Sequence, residues 1–290
     1  MSAPHILPSL WRVAVFAFGM IGAITPLWAQ APLKESACQG LAAEMTEVRI
    51  KGLADDGALT LTDGRLFLTS GIAMPSRLYP DEGMIRAARA VVESTFSGQA
   101  LRLAQGSSDR HGRLVGPAEL ATGQSLTLAL LQAGAGYAQP ELPTPPRTRA
   151  RAEAISRCNQ AILSAESEAR KDRRGIWAIS GSITQASDET GLAARIGLYT
   201  LVEGKVTATG ESRDRIYVNF GRHWREDFTI MLALRDFKPI FGNSLDPAML
   251  RGTVVRVRGV LREQGGPTIF ARVAEDVTWL NRTNEERDGK

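Results

Sequence analysis

Histidine and cysteine are scarce in this chain of 290 residues, which has three of the first and two of the second. His5, His111 and His223 lie far apart, so His111 has no second histidine to share a metal ion and reads as a turn residue. An excess of one charge is also missing. Lys and Arg number 35 against 31 Asp and Glu, a net +4, with an isoelectric point near 9.3. That excess suits an acidic partner but is too small to argue for one alone. Beyond the first residues no apolar run is long enough to suggest a membrane span. What remains is ordinary globular composition, 43% hydrophobic and 23% charged, over a length that suggests two modest domains.

The N-terminus has the form of a signal peptide over residues 1–31. Arg12 is followed by an apolar core at 13–24, then by Pro26 and small residues around Ala29 and Ala31. The expected mature protein is periplasmic or secreted, with no stable membrane span after cleavage. Export places Cys38 and Cys158 in an oxidising compartment, where an even pair is expected to bond. A reactive thiol would need a basic neighbour or a helix start, and neither is evident.

The body of the chain is organised around Asp109-Arg110-His111-Gly112-Arg113. This polar turn lies between the alternating run Ala100-Leu101-Arg102-Leu103 and the apolar stretch 114–120, the pattern of a hairpin. Asp109 can accept backbone N–H groups within the turn, and Gly112 can take a positive φ. Arg113 then sits on a rigid mount, as bidentate phosphate recognition requires. Residues 48–69 read as two or three strands, with turns at Asp56-Gly57 and Asp63-Gly64. Helices are expected over 84–96, 124–133 and 149–173, the last with a buried stripe through Ala152, Ile155, Cys158, Ile162, Ala165 and Ala169. Residues 179–196, small and polar, are expected as a linker. Five β-like runs follow at 198–206, 215–220, 228–234, 253–261 and 268–271, with a short helix at 247–250 and a charged tail at 282–290.

Residues 44–178 resemble the staphylococcal nuclease (thermonuclease) family. Asp55-Asp56-Gly57-Ala58-Leu59-Thr60-Leu61 stands where the family has DGDTxxL, and Asp63-Gly64-Arg65 opens the next strand. Gly71-Ile72-Ala73-Met74-Pro75-Ser76 stands for GIDAPE. The DRxGR turn follows, then Leu130-Leu131-Gln132-Ala133-Gly134-Ala135-Gly136-Tyr137 for LLxxGxA. Ala165-Glu166-Ser167-Glu168-Ala169-Arg170 with Gly175-Ile176-Trp177 stands for AExxAR…GLW. No one motif is specific; their order is. The resemblance implies a β-barrel with helices, an α+β architecture, as the OB-fold nuclease-like domain of residues 44–178; the five β-like runs that follow suit a second small OB-like β-barrel at 197–281.

The resemblance also implies calcium-assisted phosphodiester hydrolysis, with carboxylates on the metal, a glutamate activating water and two arginines at the phosphorus. Position by position this chain departs from that set. Ser76 replaces the glutamate, Ala73 the aspartate within GIDAPE, Leu68 the arginine three residues before it, and Gly57 and Ala58 the second half of DGDT. Arg113, with Asp109, is the one catalytic family position retained. The expectation is a catalytically impaired protein that binds single-stranded DNA or RNA. Arg110 and Arg113 would serve on the first domain, and Tyr217, Phe220, Arg222, Trp224 and Arg225 on the second. Equally open, Phe220 is barrel core and Arg222 and Arg225 form a solvated hairpin. Two further readings stand beside it. One is an active nuclease in which Asp81, Glu82, Asp55 or Asp56 replaces the lost carboxylates and Arg65 the lost arginine; it alone calls for a cofactor, calcium, and it needs two carboxylates within reach of Arg113. The other is an envelope scaffold that binds protein, favoured by a groove without clustered basic residues.

Overall fold

The computed structural model describes residue 38 and residues 45–104, 107–142, 148–223, 226–243 and 245–281. The proposed signal segment and the charged tail lie outside them.

Period-two burial builds the first sheet. In β1 (Met45–Leu53), Val48 and Ile50 point inward while Glu47 and Arg49 face solvent. Tight turns lead to β2 (Leu59–Leu61) and β3 (Leu66–Thr69), and a two-residue strand, β4 (Ile72–Ala73), follows. Helix α1 (Glu82–Val91) starts where the Asp81 carboxylate accepts from Gly83 N at 2.7 Å. A wider turn at Val92–Phe96 ends it. Then come β5 (Ala100–Ala104), β6 (Ser107–Ser108), β7 (Leu114–Gly116), β8 (Ala118–Leu120), α2 (Leu126–Gln132), β9 (Tyr137–Ala138) and α3 (Arg149–Lys171).

The ladder order is β6-β7-β3-β2-β1-β5-β8. β1 pairs antiparallel with β2 and β5, β2 antiparallel with β3, and β3 parallel with β7. The ladder does not close into a barrel. Its two end regions are nonetheless one run of chain, because β7 and β8 are parted only by Pro117, which has no N–H to donate. Leu101, Leu126, Leu130, Leu131, Ile162 and Ile176 fill the core beneath α2 and α3. The expected disulfide is present: Cys38 and Cys158 are bonded, across a sequence separation of 120.

The stretch expected as a linker is not a plain tether. β10 (Thr184–Gln185) pairs parallel with the next strand, and α4 (Glu189–Ala193) buries Leu192 and is capped by Asp188, whose Oδ1 accepts from Gly191 N at 2.9 Å. The second half continues through β11 (Tyr199–Lys205), β12 (Ala208–Ser212), β13 (Arg215–Asn219), β14 (Thr229–Ala233) and α5 (Leu234–Phe241). A single helical turn at Pro247–Leu250 follows, as expected, then β15 (Val254–Val260), β16 (Arg262–Glu263), β17 (Pro267–Phe270) and β18 (Val277–Trp279). These strands form two sheets, β10-β11-β15-β18 and β12-β13-β14-β17-β16, rather than a closed barrel. β14 pairs parallel with β17, and β11 antiparallel with β15. Its own core gathers Ile216, Val218, Phe228, Ile230, Phe241, Val257 and Ile269.

A buried polar seam joins the two halves. The carboxylate of Glu166 on α3 accepts from Arg258 on β15, Oε1 from Nη1 at 3.1 Å and Oε2 from Nη2 at 2.8 Å, and both side chains are only 3% exposed. Glu166 Oε1 also accepts from Ala138 N, and Arg258 Nη1 donates to Ala138 O. Tyr79 and Tyr199 donate across the same seam, to Tyr199 O at 2.6 Å and Ala138 O at 3.0 Å. Burial pushes both phenols well above their ordinary value.

Candidate functional site

Local chemistry shapes the 109–113 turn as its sequence suggests. Asp109 Oδ1 accepts from His111 N at 2.8 Å and from Arg113 N at 3.0 Å, and Gly112 has φ 74°. Arg113 is gripped from two sides. Its Nε and Nη2 donate to Asp109 Oδ2 at 2.8 and 2.7 Å, and its Nη1 to Asp56 Oδ2 at 3.0 Å. These hydrogen bonds, that to Asp109 first, outweigh desolvation and raise the guanidinium above its ordinary value. For Asp109, desolvation acts upward, but hydrogen bonds from Arg113 and His111 and the Arg113 charge outweigh it and hold the carboxyl at about 2.

Asp56 is itself placed by a tight turn, in which its Oδ1 accepts from Ala58 N at 3.1 Å. Gly57, at φ 83°, lets this turn lie against the 74–75 backbone, since a Cβ would stand 3.0 Å from Met74 O. Next to it Asp55 pairs with Arg89 at 2.7 Å. Two carboxylates thus lie within reach of Arg113, and both are engaged as its ion-pair partners.

The other candidate replacements are engaged elsewhere. Asp81 caps α1, Glu82 pairs with Arg86 at 2.9 Å, and Arg65 pairs with Asp63 within its own turn. Ser76 Oγ accepts from Leu78 N at 3.3 Å, and Ala73 lies in β4, opposite Tyr137. Among the described residues no group of three or more His, Cys, Asp and Glu could hold a metal ion. Arg110 is exposed and donates from Nε to His111 Nε2 at 3.0 Å.

On the second half, Tyr217 is half-buried at the middle of β13 and Arg222 is exposed. Phe220, expected to stack on a base, instead packs against the core. Its ring lies 5.1 Å from that of Phe228, and a Cβ at Gly204 would stand 2.7 Å from it. The residue is half-buried there, so the contact with the core covers only part of the ring. Trp224 and Arg225 lie outside the described residues.

Sequence reading missed a cleft of about 420 Å³ between β13, β14 and the β15–β17 segment. Exposed Arg215, Arg262 and Arg272 line it, with half-buried Phe270. The Arg262 guanidinium lies 5.6 Å from the centre of the Phe270 ring. Asp214, Asp236 and Asp276 also border the cleft, the last accepting from Arg272 N at 2.8 Å. The three arginines come from separate strands and loops, so no local motif marks them.

Residues 71–179 match the model of the family described as Staphylococcal nuclease homologue. The matched span includes GIAMPS, the Arg113 turn and the α3 motif, and begins after the Asp55-Asp56 turn. No curated protein matches the chain. Among the described residues no helix is long and apolar enough to cross a membrane. With the family's motifs in order from Gly71 to Trp177, residues 71–179 carry a staphylococcal nuclease homologue domain.

Proposed function

We propose that this is an exported, single-stranded nucleic-acid-binding protein that keeps a nuclease-like fold without the family's hydrolytic chemistry. The observation that carries the reading is the double ion pairing of Arg113 by Asp109 and Asp56. An arginine whose Nε, Nη1 and Nη2 all donate to carboxylates is a tie between two turns, not a group poised over a reacting phosphate. Around it, Ser76 is no base at neutral pH, and the Ala73 side chain offers no oxygen to calcium, a cation that takes oxygen ligands. A missing general base removes about 10²–10⁴ in rate and a missing preorganised donor roughly 10²–10³.

The second half then supplies the binding surface. We read it as an OB-like unit. Its pairings, an antiparallel β12-β13-β14 meander, β14 parallel to β17 and β11 antiparallel to β15, repeat those of β1-β2-β3, β3 with β7 and β1 with β5. The cleft with Arg215, Arg262, Arg272 and Phe270 offers phosphate contacts beside a face for a base. The exposed Arg215, Arg262 and Arg272 favour nucleic acid over an envelope protein as the partner, although Asp214, Asp236 and Asp276 border the same groove. The Cys38–Cys158 bond fits an oxidising compartment.

The test is a titration of labelled single-stranded DNA and RNA by anisotropy at several salt concentrations. Replacing Arg215, Arg262 and Arg272 by alanine should weaken binding and reduce the salt slope by about 2, at roughly 0.7 per phosphate contact on single strands. Absence of salt-dependent binding, or a slope unchanged in the triple variant, would overturn the reading.

A further inference from the structure

A second cleft, of about 490 Å³, lies between α3 and the β15–β18 edge. Gln160, Ser164, Ser167 and Arg170 line it from one face of α3, at the three- and four-residue spacing that brings side chains together on a helix. Arg256 and Arg258 face them from β15. Two of these three arginines are neutralised within the protein: Arg258 pairs with Glu166, and Arg256 donates from Nε to Glu203 at 2.6 Å. Arg170 is the one that makes no ion pair among the described residues. Its Nε is buried and without a hydrogen-bond partner, and no carboxylate lies within ion-pair distance of it among the described residues. Glu275, also on the rim, is in contact with Ser156, whose Oγ donates to it at 3.3 Å.

An unpaired buried guanidinium nitrogen is costly, because it has given up water and received nothing in return. Burial first, and then the like charge of Arg256, draw Arg170 below its ordinary value, against the attraction of Glu166 and Glu203. A cleft of this size, with apolar Leu163 and Val277 beside the polar groups, falls within the range of small-ligand sites. We propose that the α3–β15 cleft binds a small oxyanion, a phosphate or a carboxylate, with Arg170 as the charged anchor and the Ser164 and Ser167 hydroxyls beside it. The site is independent of the nucleic-acid cleft, because Arg258, the one arginine that lines both, is already paired.

The experiment is thermal unfolding and calorimetric titration of the full chain with inorganic phosphate, with succinate, and with sodium chloride at matched ionic strength. Phosphate or succinate should raise Tm saturably beyond chloride, and whichever does so identifies the anion class. Arg170→Gln should abolish that rise, or weaken apparent affinity at least about 10-fold, a change of about 1.4 kcal/mol. It should leave Tm without anion unchanged or higher, since it removes a buried guanidinium nitrogen that has no hydrogen-bond partner. Should that variant fold poorly, Arg170→Lys, which keeps charge but loses the planar fork, should bind with intermediate affinity. No saturable response beyond chloride, or an equal response in wild type and variants, would overturn the proposal.

Discussion

Glu166→Gln tests the seam between the two halves most severely. The glutamine is nearly isosteric and can still accept from Ala138 N, so the change removes a charge and little volume. It leaves the Arg258 guanidinium, 3% exposed, without its counter-ion. Breaking a buried pair by removing one partner costs about 3–5 kcal/mol, because the survivor is left charged in a poor dielectric. At roughly 2–4 °C per kcal/mol for a protein of this size class, Tm should fall by roughly 6–20 °C. Differential scanning calorimetry reads this directly. The control is the double variant Glu166→Gln with Arg258→Met, which removes both charges and should recover most of the loss. A Glu166→Gln protein within about 1 kcal/mol of wild type would refute the claim that the seam holds the halves together through this pair. So would a double variant no better than the single one.

Three further outcomes follow from the same geometry. Reducing the Cys38–Cys158 bond, or replacing both cysteines by serine, should cost about 4–5 kcal/mol for so long a loop, seen as a lower urea midpoint. An unchanged midpoint would show that the bond constrains little. Gly175→Ala should destabilise by at least about 1–3 kcal/mol, because Gly175 has φ 52° and its Cβ would stand 2.2 Å from Gly134 O; a thermal melt like wild type would contradict this. Asp109 is held at about 2 against an ordinary 3.8, so the stability it contributes is present above 3.8 and lost as pH falls towards 2. Asp109→Asn should remove that part of the acid dependence, and acid titrations that superimpose for wild type and variant would exclude it.

Much of the local structure was legible because local chemistry decides it. The Arg113 turn needs only Asp109 and Gly112, and the alternation in 215–219 buries Ile216 and Val218 as period two requires. The start of α1 was readable too, since Asp81 is an ordinary N-cap, although the apolar pattern alone placed the helix two residues late. Helix α5 escaped because Pro239 lies inside it and Gly242 closes it early; what holds it is the burial of Phe237, Ile240 and Phe241. Small polar residues at 179–196 suggested a linker, but their pairing partners, Val202 and Glu203, lie in another strand and leave no local trace. The same holds for the site. Sequence marks which family carboxylates are replaced, but not that Asp56, 57 residues from Arg113, closes on it. Nor does it show that Arg215, Arg262 and Arg272 converge, because only strand pairing brings them to one cleft.

The central claim is that a nuclease fold here binds without cutting. The most direct measurement is incubation of single-stranded DNA and RNA with the purified, oxidised protein, with calcium and with chelator, beside Arg113→Ala. Intact substrate is expected in every lane, with salt-dependent binding by both proteins. Calcium-dependent cleavage that disappears in Arg113→Ala would contradict it, and would turn attention to Asp56 and Asp109, the carboxylates already at that arginine.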